Sequence, residues 1–100
     1  MRKPKDKKLC KAVEDFAEQM LDRLADKEAK GYTGWDDKRD EAEPRDWELL
    51  ESMEHDIRCF YGDGQKQSYT EASRKNAVDI ANRAMMLWYR SIRDQAKEGE

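Results

Sequence analysis

The chain has 100 residues, of which 43% are charged and 37% hydrophobic, and its formal net charge is −3. A chain of this length can bury one modest core, so a single domain is expected. No stretch is long and apolar enough to cross a membrane, and the N-terminus lacks the apolar core of a secretory signal. These features, with Cys10 and Cys59 interpreted as free thiols, predict a cytoplasmic protein without membrane contact.

The first eight residues, MRKPKDKK, contain five basic residues and predict a flexible, solvated N-terminal arm over 1–8. Such an arm can also bind nucleic acid, with a steep dependence on salt. Nucleic-acid binding is not favoured here, because the chain is acidic as a whole and no aromatic residue stands among the lysines.

The first predicted helix runs from Leu9 to about Ala29, because its apolar residues follow the three-four spacing of an amphipathic helix. Gly31 is suited to its C-terminal cap. The segment 31–46 contains two glycines, a proline and no helical periodicity, which predicts a loop. Tyr32 and Trp35 are candidates to anchor this loop to the helices.

The second predicted helix begins near Pro44 to Asp46 and ends at about Tyr61, before Gly62. Glu54 and Asp56 fall at the two margins of its apolar stripe, from where a carboxylate can reach inward. The following stretch GDGQKQ, residues 62–67, is typical of a turn.

The third predicted helix opens with a capping box formed by Ser68 and Glu71 and continues to about Asp94. It is the most apolar helix, yet Asn76, Asp79 and Asn82 stand in its first turns. Buried polar groups are costly unless something pairs with them, so this face meets either water or a site.

The predicted fold is all-α, a small antiparallel bundle of three main helices in one domain over 9–96. A core this small is often completed by assembly, and the long third helix is expected to pair with a second copy. A homo-oligomer is therefore predicted.

Metal sites of two kinds are conceivable. His55 and Cys59, four residues apart, could chelate zinc with Cys10 as a third ligand, although a lone pair at this spacing is common on surface helices. Carboxylates on the second helix, with Asp79 on the third, could hold magnesium and through it a nucleotide's phosphates. The alternative is that these acids are solvated and make local pairs. The candidate acids on the second helix are Glu51, Glu54 and Asp56.

Catalysis without a metal has little support. His55 is the sole histidine, no cysteine stands in a nucleophile-like turn, and no glycine-rich phosphate loop is present.

The order of these motifs resembles the small MazG-like proteins of bacteriophages and prophages, in the all-α nucleoside triphosphate pyrophosphohydrolase superfamily. The matching pieces span most of the chain: MLDRLADKEAKGYTGWDD at 20–37, LLESMEHD at 49–56 and VDIANRAMMLWYR at 78–90. The resemblance implies a helical bundle completed by assembly, in the cytoplasm of a bacterial host cell. It also implies that magnesium, held by an E-x-x-E helix and an E-x-x-D helix, grips a (d)NTP while water releases pyrophosphate.

Carried over by position, Asp79 matches the aspartate of the second motif and Asn82 the asparagine one turn later, while Asn76 stands where that motif has glutamate. The first motif, E-x-x-E, can be placed in two ways. Aligning the LL pair with that of the family puts Asp56 and Cys59 at the two glutamate positions, whereas matching the letters E-x-x-E gives Glu51 and Glu54. The predicted catalytic residues are Asp79, Glu54 and Asp56; the predicted magnesium ligands are Asp79, Glu51, Glu54 and Asp56.

Asn82, Asn76, Trp35 and Lys30 are the predicted substrate-binding residues. Trp35 would stack on a base, unless it only anchors the loop. Lys30, with Lys38, would meet phosphate, although solvated lysines are the usual case.

Two functions remain open. The first is binding, and possible hydrolysis, of (d)NTPs with magnesium. The alternative is a non-catalytic helical interaction protein that modulates a host or defence component, because Asn76 and Cys59 bring no carboxylate charge to the motif positions they occupy. The sequence leaves open whether the chain is an enzyme.

Overall fold

The computed structural model describes residues 2–32, 35–36 and 45–98, with side chains described up to residue 92. Three helices span these ranges: α1 (Lys7–Ala29), α2 (Asp46–Gln65) and α3 (Glu71–Glu98). The described ranges contain no strand, so the predicted all-α class is confirmed.

The ends of α1 follow from local hydrogen bonds. The Asp6 carboxylate accepts from the backbone N–H groups of Lys8 and Leu9, so the helix begins two residues before Leu9 and takes in the end of the predicted arm. At the other end Gly31 has a φ of +89° and donates to the Glu28 carbonyl at 2.9 Å. Its predicted role as the cap is confirmed, because glycine adopts this left-handed conformation without strain.

The predicted turn at 62–67 is wrong over its first four residues, because α2 continues through Gly62 and Gly64 to Gln65. Each glycine costs a helix only about 1 kcal/mol relative to alanine, a penalty that tertiary contacts can outweigh. One such contact is the hydrogen bond from Ser73 Oγ to Asp63 Oδ2, at 2.5 Å.

The predicted capping box of α3 is also displaced. Thr70 and Ser73 make the capping hydrogen bonds: Thr70 N donates to Ser73 Oγ at 3.0 Å, and Ser73 N to Thr70 Oγ1 at 3.3 Å. Ser68 instead donates its backbone N–H to the Asp63 carbonyl at 3.0 Å and so belongs to the end of α2. The helix then runs past the expected Asp94.

The central helix is α3, which packs against both α1 and α2, whereas α1 and α2 do not pack on each other in the described part. Paired positions show that α3 is antiparallel to each of them. Asp79 and Asn82 meet Arg23 and Met20 of α1 in reversed order. Ser73 and Arg83 likewise meet Asp63 and Asp56 of α2 in reversed order. The buried apolar residues in this part are Leu49, Val78 and Met86, and α1 buries none.

Candidate functional site

Five charged side chains from all three helices form a group that we call the charge cluster: Arg23, Lys27, Asp56, Asp79 and Arg83. The best-defined pair joins α1 to α3. Arg23 donates through Nε to Asp79 Oδ1 at 2.9 Å, and through Nη2 to Asp79 Oδ2 at 3.5 Å. Asp79 is 7% exposed, so little of this ion pair meets water.

The second pair joins α2 to α3, where Arg83 donates through Nη1 to Asp56 Oδ2. Lys27 is half-buried and within electrostatic range of both pairs. Burial lowers the pKa of Lys27 below its usual 10.5, Arg83 and Arg23 push it the same way, and Asp79 and Asp56 act in the opposite direction. With its three cations and two carboxylates in their usual charge states, the cluster carries one excess positive charge.

Asn82 lies one turn along α3 from Asp79 and is fully buried. Its Nδ2 donates to the Met20 carbonyl of α1 at 3.3 Å. Its Oδ1 is buried and has no hydrogen-bond partner among the residues that the structure describes. The side chain therefore keeps one unused acceptor beside the charge cluster.

An open groove of about 500 Å³ adjoins the charge cluster and shares Asp56 and Arg83 with it. We call it the Trp47 groove, after the side chain at its far end. The groove is lined by Trp47, Glu48, Glu51, Ser52, His55, Asp56 and Arg83.

The structure brings together some of the residues that the sequence singled out and leaves others apart. Asp79 and Asp56 belong to the charge cluster, with Asn82 beside it, and Glu51 lies in the Trp47 groove. Glu54 is exposed and pairs with Arg58 at 2.5 Å.

Two predicted substrate-binding residues have no polar role in this geometry. Asn76 is half-buried and Lys30 is exposed. Neither side chain makes a hydrogen bond or ion pair with another described residue. Lys38 lies outside the described residues.

Trp35 lies against α3 as a loop anchor. Its ring centroid is 5.1 Å from that of Tyr89, and its carbonyl accepts from Arg90 Nε at 2.7 Å. Arg90 is 2% exposed and also donates to Asp46 Oδ1 at 2.6 Å. These contacts support the anchoring alternative for Trp35.

The described residues do not gather three His, Cys, Asp or Glu side chains around one point that could hold a metal ion. Of the side chains considered for zinc, His55 and Cys59 are neighbours: Cys59 Sγ lies 4.0 Å from His55 Nδ1. Asp56 Oδ1 lies 3.7 Å from the same nitrogen. Cys10, at the start of α1, donates its thiol to the Pro4 carbonyl instead.

The cations of the charge cluster were missed because lysine and arginine are usually solvated in so charged a chain. The sequence did contain one signal that could have pointed to these cations. Arg23 and Lys27 are four residues apart on α1, as are Asp79 and Arg83 on α3, which places each pair on one helix face.

Comparison with protein-family models, with curated proteins and with solved structures finds no match for this chain. The similarity to MazG-like proteins therefore rests on the motifs quoted above. Across the described residues, every helix is too short or too polar to pass through a membrane.

Proposed function

We propose that this chain binds (d)NTPs through their polyphosphate at the charge cluster, on a scaffold of the MazG-like kind. The observation that carries the proposal is the excess of cations over carboxylates in a partly buried cluster to which all three helices contribute. Charge-assisted hydrogen bonds from such groups are the strong ones in phosphate recognition. The proposal places the protein in the cytoplasm of a bacterial host cell.

The pKa of Lys27 supports an anion as the ligand. Its lowered value means that the folded chain disfavours the charged ammonium, because burial and two guanidinium groups outweigh the nearby carboxylates. A bound phosphate would bring negative charge next to this ammonium and relieve that penalty. The expected donors to phosphate are Lys27, Arg23 and Arg83.

Magnesium bound by the protein itself does not fit the described residues. Asp79 and Asp56 each pair with a guanidinium, Glu54 pairs with Arg58, and within the described ranges no three ligating side chains converge. We therefore propose that (d)NTP binding to this chain does not require magnesium. The predicted release of pyrophosphate, by attack of water on the α-phosphorus of a (d)NTP, stays a prediction.

Calorimetric titration with inorganic triphosphate and with a dNTP, each in EDTA and in magnesium, tests the proposal. Lys27→Met should weaken triphosphate binding by about 10- to 100-fold, the value of one charged hydrogen bond. Lys30→Met is the matched control, an exposed lysine one turn further along, and should leave the affinity unchanged.

Asp79→Asn separates anion binding from a magnesium site. It removes a negative charge from the cluster, so binding in EDTA should be kept or become tighter, whereas a magnesium site would lose its central ligand. Binding that requires magnesium and disappears in Asp79→Asn would overturn the proposal. A pyrophosphate-release assay on the same samples shows whether turnover accompanies binding.

A second candidate function rests on the exposed apolar face of α1, formed by Leu9, Val13 and Phe16. These side chains are 51%, 59% and 40% exposed and follow one another at helical spacing. We propose that a second copy of the chain covers this face, and that the assembled protein acts as the non-catalytic interaction protein that modulates a host or defence component. This candidate needs no nucleotide.

A further inference from the structure

We propose that the Trp47 groove binds the base of a nucleotide whose phosphates lie on Arg83, with Trp47 as the stacking surface. The inference rests on the proposed function, because polyphosphate bound at the charge cluster fixes the position of the phosphate end of the nucleotide. It assigns the base to Trp47, while Trp35 anchors the loop.

The dimensions of the groove suit a nucleotide. Its volume of about 500 Å³ lies within the range of small-molecule sites, roughly 300 to 1,000 Å³. Trp47 and Asp56 are nine residues apart on α2, which is about 13 Å along the helix axis. An extended nucleotide covers such a distance between its base and its outer phosphates.

Trp47 is the aromatic side chain that lines this groove, and it is 58% exposed. Its place at the start of α2 is fixed by a capping bond, in which Arg45 N donates to Glu48 Oε1 at 3.4 Å. Exposed aromatic rings held on rigid elements are the usual stacking surfaces for unpaired bases. Trp35 is less suited, because its ring already contacts Tyr89.

The charges along the groove set the direction of the ligand. Glu48 lies beside Trp47 and Glu51 midway along the groove, and both repel phosphate. At the other end Arg83 attracts phosphate, although its pair with Asp56 offsets part of its charge. Glu51 has no hydrogen-bond or ion-pair partner among the described residues. Because a carboxylate only accepts hydrogen bonds, it favours a base that presents an amino group, as cytosine and adenine do, over thymine.

The experiment titrates the wild type and Trp47→Leu with inorganic triphosphate, dCTP, dATP and dTTP. In the wild type, dCTP should bind about 5- to 100-fold tighter than triphosphate, the range expected for one stacked base. Trp47→Leu should lose this advantage while keeping its affinity for triphosphate, which also shows that the variant is folded. Trp88→Leu is the control, a tryptophan that is 63% exposed and lies outside the groove.

Each outcome decides something. If inorganic triphosphate does not bind the wild type, the proposed function fails and this inference fails with it. If triphosphate binds but the base adds no affinity, or Trp47→Leu changes nothing, the inference alone is overturned. Glu51→Gln should reduce the preference for dCTP over dTTP, and an unchanged preference would remove Glu51 from base selection.

Discussion

At the scale of single residues, Arg90 shows how a buried cation stabilises this small fold. It is 2% exposed and donates to the Trp35 carbonyl and to Asp46 Oδ1, so it joins the loop and the start of α2 to α3. A buried guanidinium is tolerated because its N–H groups find acceptors in several directions. Removing it leaves the Trp35 carbonyl and the Asp46 carboxylate without this donor.

Arg90→Met should lower the free energy of unfolding by about 2 to 4 kcal/mol, measured by urea denaturation. Arg90→Lys should recover little of this loss, because one ammonium cannot reproduce the two directions of the guanidinium. Arg58→Met is the matched control: its pair with Glu54 is exposed, so the change should stay under about 1 kcal/mol. Equal losses at both positions would contradict the role given to Arg90.

Lys27 makes stability depend on pH in a defined direction. Burial lowers its pKa in the folded chain below 10.5, with further lowering by Arg83 and Arg23 against opposition from Asp79 and Asp56. Between the folded and unfolded pKa values the unfolded chain binds more protons, so stability rises with pH there. Below the folded pKa, the cost of burying the charge is fully present.

Lys27→Met removes this dependence. Its free energy of unfolding relative to the wild type should therefore fall as the pH rises toward 10.5, because the wild type loses its buried charge over this range. Urea denaturation across this range measures the difference. Lys30→Met should show no such trend, and a constant difference for Lys27→Met would mean that burial does not penalise the ammonium.

At the scale of elements, α1 is held to α3 largely by polar contacts. It buries no residue, and its named contacts with α3 are the Arg23–Asp79 ion pair and the bond from Asn82 to the Met20 carbonyl. Elements with few buried apolar contacts open at low cost, so α1 should be the first helix to open.

Hydrogen exchange followed by mass spectrometry should find faster exchange in the α1 amides over 11–18 than in the α3 amides over 77–88. Asp79→Asn weakens the ion pair with Arg23 that joins α3 to α1, so hydrogen exchange should become faster in α1 more than in α2. Glu54→Gln, which breaks an exposed pair on α2, should leave α1 unchanged. Uniform protection of the three helices in the wild type would refute this order of opening.

The sequence was sufficient for features that are local in origin. The three helices follow from apolar periodicity, and the end of α1 follows from Gly31, whose left-handed conformation suits a glycine. The connection between α2 and α3 was misplaced because its cap depends on which hydroxyl meets Asp63. Ser68 and Thr70 both fit the cap position, and Ser73, which the tertiary bond to Asp63 holds in place, pairs with Thr70.

The sequence predicted the carboxylates of the candidate site but not the sign of its net charge. Asp79 and Asp56 stood out as acids on or beside apolar faces, where a polar group needs a partner. Their partners Arg23 and Arg83 depend on the register between helices, which periodicity does not specify. The sequence therefore pointed to a cation as the ligand, whereas the assembled cluster, with its excess positive charge, favours an anion.

At the scale of the whole molecule, the chain exposes more surface than a compact monomer of its mass. Its accessible area is 8291 Å², whereas a folded monomer of 11.8 kDa exposes about 5,900 Å². Its radius of gyration is 15.7 Å, against about 13 Å for a compact domain of 100 residues. The excess on one chain is about 2,400 Å², more than the roughly 800 Å² that each partner buries in a standard protein interface, so the surface has room for one.

We expect a second copy to cover this surface, with Leu9, Val13 and Phe16 of α1 at the interface. Sedimentation equilibrium at micromolar concentration should give at least twice the monomer mass of 11.8 kDa. Val13→Glu places a charge in the apolar face and should shift the mass toward the monomer, because burying an unpaired carboxylate is costly. Glu14→Gln changes the charge by the same amount with the opposite sign, at a position off the apolar face of α1, and should leave the assembly intact.

The same variant separates assembly from nucleotide binding. Val13 lies away from the charge cluster, so Val13→Glu should keep its affinity for triphosphate if one chain holds the complete cluster. Loss of triphosphate binding together with loss of assembly would mean that a second copy contributes to the site. A wild type that remains monomeric at high concentration would instead refute the predicted interface, and the exposed face of α1 would then need another partner.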